Sequence, residues 1–142
     1  MKLDEKDLEI LRMLERNART SFRSIAKEIG LSPMAVVKRV RKMESEGVIK
    51  KYTIAINPDV LGYNCNLYIL VRVKAGFDAT EIGEKLLELP ETCNVNQITG
   101  DHDLVLMARC RDREEIGRYL CEINKMEGVE RVNSYFIIRS IG

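Results

Sequence analysis

The 142-residue chain has no tryptophan, a single histidine and three prolines. It also has no apolar run near the roughly 18 residues that a membrane span needs. Met1-Lys2-Leu3-Asp4-Glu5 lacks the apolar core of a signal peptide, so the expected location is the cytoplasm. Cys65, Cys93, Cys110 and Cys121 form no CxxC pair and keep no metal-ligand spacing. They are expected to be small core hydrophobes in a reducing compartment, and no metal is expected. One histidine, no nucleophile-plus-base constellation and no phosphate-cradling glycine loop leave no catalytic residues and no cofactor to assign. A composition 45% hydrophobic and 32% charged excludes a disordered chain.

The net charge of +1 conceals a split. Residues 1–50 hold 12 Lys/Arg against 8 Asp/Glu, leaving +4; residues 51–142 hold 11 against 14, leaving −3. The basic part suits a polyanion. Its pattern is specific: apolar residues at helical spacing over 4–17, with Asp4 as cap, precede a short helix capped by Ser21 that buries Phe22, Ile25, Ala26 and Ile29. Gly30 supplies a left-handed turn residue, and Ser32-Pro33 opens a third helix. On that helix Val36, Val40 and Met43 recur on one side, and Met34, Val37, Lys38 and Arg41 lie on the other.

Short helix, tight turn and basic helix together point to insertion into the major groove of double-stranded DNA. Lys38, Arg39, Arg41 and Lys42 suit phosphate and guanine contacts. Ser32 with the helix N-terminus suits a phosphate, Met34 and Val37 suit thymine methyls, and Arg23, Lys50 and Lys51 suit the flanking backbone. One such helix reaches only a few base pairs, so a homodimer placing two of them about 34 Å apart is expected.

Beyond Gly47 the period changes. Residues 48–56 read as extended chain, a minimal wing or connecting strand, and Asn57-Pro58 to Leu61-Gly62 as the end of a linker. The remainder predicts strands over 67–74, 93–99, 103–110 and 129–140, with helices over 79–89 and 112–126. Leu8, Leu11 and Leu14 with Ile10 make the apolar stripe expected inward on the first helix. Ile82, Leu86, Leu87 and Leu89 are the apolar residues of the fourth, and Ile116, Leu120 and Ile123 are expected inward on the fifth. The order βαββαβ folds into an antiparallel sheet with both helices on one face. The far face is left uncovered although the strands are apolar on both sides, in Tyr68-Ile69-Leu70-Val71 and Tyr135-Phe136-Ile137-Ile138, which calls for self-association.

These residues carry a resemblance along essentially the whole chain. Leu3-Asp4-x-x-Asp7-x-x-Ile10-Leu11, Ala18-Arg19, Ile25-Ala26, Leu31-Ser32, Arg39-Val40, Gly47-Val48-Ile49, Leu61-Gly62-Tyr63, Thr99-Gly100-Asp101-His102-Asp103-Leu104 and Gly128-Val129 resemble the Lrp/AsnC (feast/famine) family of prokaryotic transcription regulators. The resemblance implies an α+β chain: a winged helix–turn–helix over 1–50, a linker strand over 51–62, and a ferredoxin-like effector-binding and oligomerisation domain over 63–142. It implies dimers, often assembled into octamers, and an amino acid bound between subunits. The family's Gly-Asp-Tyr-Asp turn maps onto Gly100, Asp101, His102 and Asp103, with His102 where tyrosine is common. Asp101 or Asp103 would face an ammonium group, and turn amides a carboxylate. Two other readings stay open at this point: a DNA-organising protein with little site preference, and an enzyme of the tetrapyrrole-decarboxylating kind.

Overall fold

Three polar side chains start the first three helices, each satisfying backbone N–H groups that a helix N-terminus leaves free. The computed structural model describes residues 1–142 and divides into two units, Met1–Ala55 and Ile56–Gly142. In the first, Asp4 caps α1 (Glu5–Arg16), Ser21 caps α2 (Phe22–Ile29) and Ser32 caps α3 (Pro33–Ser45). Gly30 takes the left-handed conformation (φ 74°) that turns the chain between α2 and α3. Ile10, Leu14, Ile25, Ala26, Ile29, Val36, Val40 and Met43 form its core. On α1 the inward face is Asp7, Ile10 and Leu14, whereas Leu8, expected inward, is 40% exposed. Asp7 takes the interior place because a basic partner meets it there, as described below.

The second unit comprises β1 (Cys65–Val73), α4 (Ala79–Leu87), β2 (Thr92–Gln97), β3 (Leu104–Cys110), α5 (Arg113–Lys125) and β4 (Val129–Phe136). The strands form one antiparallel sheet in the order β2-β3-β1-β4, the ferredoxin-like arrangement. Alternation along β1 and β3 places Cys65, Leu67, Ile69, Val71, Leu104, Leu106, Ala108 and Cys110 on one face, packed with Ile82 and Leu86 of α4 and Tyr119 and Ile123 of α5. Tyr119 is fully buried, with its hydroxyl 2.6 Å from Thr92 Oγ1. Burial pushes its pKa up to about 12. No helix is long and apolar enough to cross a membrane.

Several expectations are corrected. Residues 48–62 form no strand, either as wing or as linker, because no strand of the chain pairs with them; Pro58–Gly62 is a turn. β4 ends at Phe136 rather than near residue 140. Its partner β1 begins at Cys65, and the last bond of that ladder runs from the Ile137 N–H to the Asn66 carbonyl. α4 ends at Leu87, which is 53% exposed. Cys65 and Cys110 are buried, but Cys93 and Cys121 are exposed. Cys93 sits where the β2 register shifts, and Cys121 lies between the buried Tyr119 and Ile123 and so on the outer side of α5.

Gly128 precedes β4 with φ 93°, and a Cβ there would meet Ile82 Cδ1 and Phe77 Cδ1 at 2.6 Å. Gly30 is equally left-handed but has open space around it. Gly128→Ala therefore combines backbone strain with overpacking and is expected to cost about 2–4 kcal/mol, against about 1–2 for Gly30→Ala. Urea unfolding of the two variants checks the order.

Candidate nucleic-acid interface and effector turn

The side chain of α3 that faces α1 is an arginine. Arg39 Nη1 lies 2.7 Å from both carboxylate oxygens of Asp4 and 3.0 Å from Asp7 Oδ1. The same aspartates form a capping box: Asp4 Oδ1 accepts from the Asp7 N–H at 2.9 Å, and Asp7 Oδ2 accepts from the Asp4 N–H at 3.1 Å. Asp7 is 5% exposed, so its charge needs this partner. The Arg39 guanidinium, first through its hydrogen bonds, holds the Asp4 carboxyl below its ordinary value, and the two aspartates raise Arg39 in turn. Lys6 Nζ donates to the Ile29 carbonyl at 2.6 Å and closes the C-terminal end of α2.

Of the remaining sequence-predicted residues of this unit, all but Ser32 are without a side-chain partner. Val36, Val40 and Met43 are at most 1% exposed and fix the rotation of α3. Met34 is 69% exposed, Val37 is half-buried, and Lys38, Arg41 and Lys42 are exposed. Positions 34, 37, 38 and 41 follow helical spacing and share one side. Ser32 Oγ is occupied by the Ala35 N–H at 3.1 Å, so its cap serves the helix first. Arg23, Lys50 and Lys51 are exposed. Arg39 stands apart from this set, since its guanidinium is committed to the aspartates. A free outward stripe of two apolar and two basic side chains fits a groove lined by base edges and phosphates.

In the second unit the turn between β2 and β3 is pinned from both sides. Gly100 carries it at φ 111°. The Ile98 N–H donates to the Asp103 carbonyl at 2.9 Å and the Asp103 N–H to the Val71 carbonyl at 2.9 Å. The Asp103 carboxylate accepts from the Val73 N–H at 2.7 Å, so it belongs to the scaffold. Arg72 Nη1 donates to the Asp101 carbonyl at 2.5 Å, and the exposed Asp101 carboxylate has no partner. His102 is half-buried, its Nε2 3.1 Å from Asn133 Oδ1 on β4. Register puts Asn133 and Arg131 on the same face as Arg72, which pairs with Glu130 at 3.0 Å. None of Arg72, Arg131 or Asn133 stands out from the chain read linearly. Only strand pairing brings them to the turn, so no periodicity signal identifies them.

Comparison with known proteins follows the same division. The family model described as "Winged helix-turn-helix DNA-binding" matches residues 3–50, and that described as "Lrp/AsnC ligand binding domain" matches residues 66–142. The HTH-type transcriptional regulator FL11 of Pyrococcus furiosus is 35% identical over 96% of this chain and 90% of its own length. The HTH-type transcriptional regulator LysM of Saccharolobus solfataricus is 34% identical over 97% of this chain and 95% of its own. Among solved structures, AsnC of E. coli superposes with TM-score 0.87 at 27% identity, covering 99% of this chain and 95% of that one. A Neisseria meningitidis transcriptional regulator solved with L-Met shares the fold, with TM-score 0.91 at 24% identity over 99% of this chain and 93% of that one.

Arg39→Ala is expected to lower the stability of the first unit by about 1–3 kcal/mol, chiefly by leaving the buried Asp7 carboxylate with a single N–H donor. Because the folded pKa of Asp4 lies below its ordinary 3.8, its contribution is present above that value and is lost as pH falls through the folded one. The stability gap between wild type and Arg39→Ala should therefore hold from neutral pH down to 3.8 and narrow as pH falls further, as read by denaturant unfolding.

Proposed function

The chain belongs to the Lrp/AsnC family of DNA-binding transcriptional regulators, and on that premise we propose that it is a sequence-reading, non-enzymatic regulator whose second unit binds an amino acid. The observation that carries the DNA-binding part is the free outward stripe of α3. Met34, Val37, Lys38 and Arg41 enter the groove, while Arg23, Lys42, Lys50 and Lys51 meet backbone phosphates. Arg39 supports the helix from behind.

Self-association follows from the uncovered face of the sheet. Tyr68 lies in register with Met107 on one side and Tyr135 on the other, and Leu70 lies beside Val105. Tyr68 and Tyr135 are 46% and 52% exposed. Five apolar side chains contiguous across three strands form the kind of patch that a second copy covers. A dimer doubles the phosphate contacts and gives two linked reading helices, which one small helix at cellular salt requires. The effector reading rests on the turn: Asp101 has a free carboxylate for an ammonium group, and the Asp101 and His102 amides have no partner within the chain.

Lys38→Ala and Arg41→Ala should each weaken binding to the protein's own operator about tenfold and relax its preference over random DNA, as expected for lost base contacts. Oligomeric state should not change. Retained affinity in the double variant, measured by fluorescence anisotropy, would remove α3 from the interface. Tyr68→Asp should convert the wild-type dimer, or larger assembly, into monomer at micromolar concentration without loss of secondary structure. Sedimentation equilibrium decides; a monomeric wild type overturns the dimer.

A further inference from the structure

At the turn end of the sheet, Arg72 of β1 lies directly opposite Arg131 of β4, on the face that α4 and α5 leave open. Like charges in that position destabilise a sheet unless an anion sits between them. Glu130 answers Arg72 at 3.0 Å, and no acidic side chain of the chain pairs with Arg131. Next along β4 on the same face is Asn133, which holds His102 at 3.1 Å. Arg72 also reaches the carbonyl of Asp101, whose own carboxylate is free. One small region therefore combines an unanswered guanidinium, an imidazole, free turn amides and one unanswered carboxylate.

We propose that Arg131, backed by Arg72 and His102, is an anion-recognising subsite that makes the effector an amino acid with a carboxylate side chain. This rests on the effector reading of the turn and extends it. Asp101 takes the ammonium group, the amides of the turn take the α-carboxylate, and the side-chain carboxylate meets Arg131, whose planar fork suits it. A cationic side chain placed there would face two guanidinium groups. A neutral amide would leave the charge of Arg131 without its counterpart. Arg72 and Arg131 lie at the rim of the Tyr68–Leu70 patch rather than within it, so binding and self-association are separable.

Isothermal titration of the full chain with L-glutamate, L-aspartate, L-glutamine, L-lysine and succinate tests the assignment. L-Glutamate or L-aspartate should bind at least about tenfold more tightly than L-glutamine or L-lysine, as expected for a charge-assisted contact. Arg131→Gln should abolish that preference by weakening L-glutamate and L-aspartate to the level of L-glutamine or below. Asp101→Asn should weaken every amino acid and spare succinate. Equal or tighter binding of L-glutamine or L-lysine, still sensitive to Asp101→Asn, overturns the subsite while the effector reading stands. No binding by any amino acid overturns both. Loss of the dimer in Arg131→Gln with L-glutamate affinity intact assigns the arginine to the interface and overturns the subsite as well.

Discussion

Asp7 is a carboxylate 5% exposed in a unit of only 55 residues, and the guanidinium that answers it ties the reading helix to the start of α1. Small units bury little apolar surface, so their helices have few contacts with which to fix relative rotation. Here the apolar core of Val36, Val40 and Met43 sets which side of α3 faces in, and Arg39 adds a directional tie to Asp4 and Asp7. A buried ion pair is weak as a source of stability but strong as a source of geometry, because breaking it strands a charge. The capping box shares those aspartates, so the start of α1 and the middle of α3 are ordered together. Lys38 and Arg41 are thereby held outward by a charge that the sequence places among them but that serves another purpose.

The second unit handles burial differently. Its two helices cover one sheet face over β1 and β3 and leave the other to Tyr68, Leu70, Val105, Met107 and Tyr135, bounded at one end by Arg72 and Arg131. Apolar centre and charged rim are the division seen where proteins meet. The pinned turn lies at that charged end. Asp103 is consumed by the backbone of β1, so of the two aspartates that the sequence offers for an ammonium group only Asp101 remains available. Hydrogen bonds rather than residue type thus decide which aspartate of this four-residue turn serves the scaffold.

Local signals were legible wherever a single element determined them. The caps at Asp4, Ser21 and Ser32, the turn at Gly30, and the inward faces of α2 and α3 all follow from nearest neighbours in the chain. The βαββαβ order followed from alternating periods, and an antiparallel sheet with both helices on one face from general rules of connection. What escaped depends on partners distant in sequence. Arg39 looks like any other base on a basic helix until Asp7, 32 residues earlier, is placed beside it. Residues 48–56 have strand-like composition but no strand to pair with, and β4 stops where β1 gives out. Cys93 and Cys121 resembled core residues because exposure is decided by register and helix phase, not by neighbouring apolar letters.

Regulation imposes one further constraint. A ligand shifts DNA affinity only by binding one state of the protein more tightly than another, so an effector held equally in both would change nothing. The turn suits such discrimination because it is tied to two different strands, by Asp103 to β1 and by His102 to β4, and carries its one free carboxylate between them. A ligand that engages Asp101 and Arg131 together bridges the turn and β4, whose register across β1 shifts between Arg72 and Val73. Irregular pairing marks the part of a sheet whose geometry can change at least cost, since fewer ladder bonds hold it. On the proposed reading, the charged end of the sheet is where ligand binding and a small change in strand geometry are most directly linked, and the apolar face beside it is the surface on which a second copy would register that change.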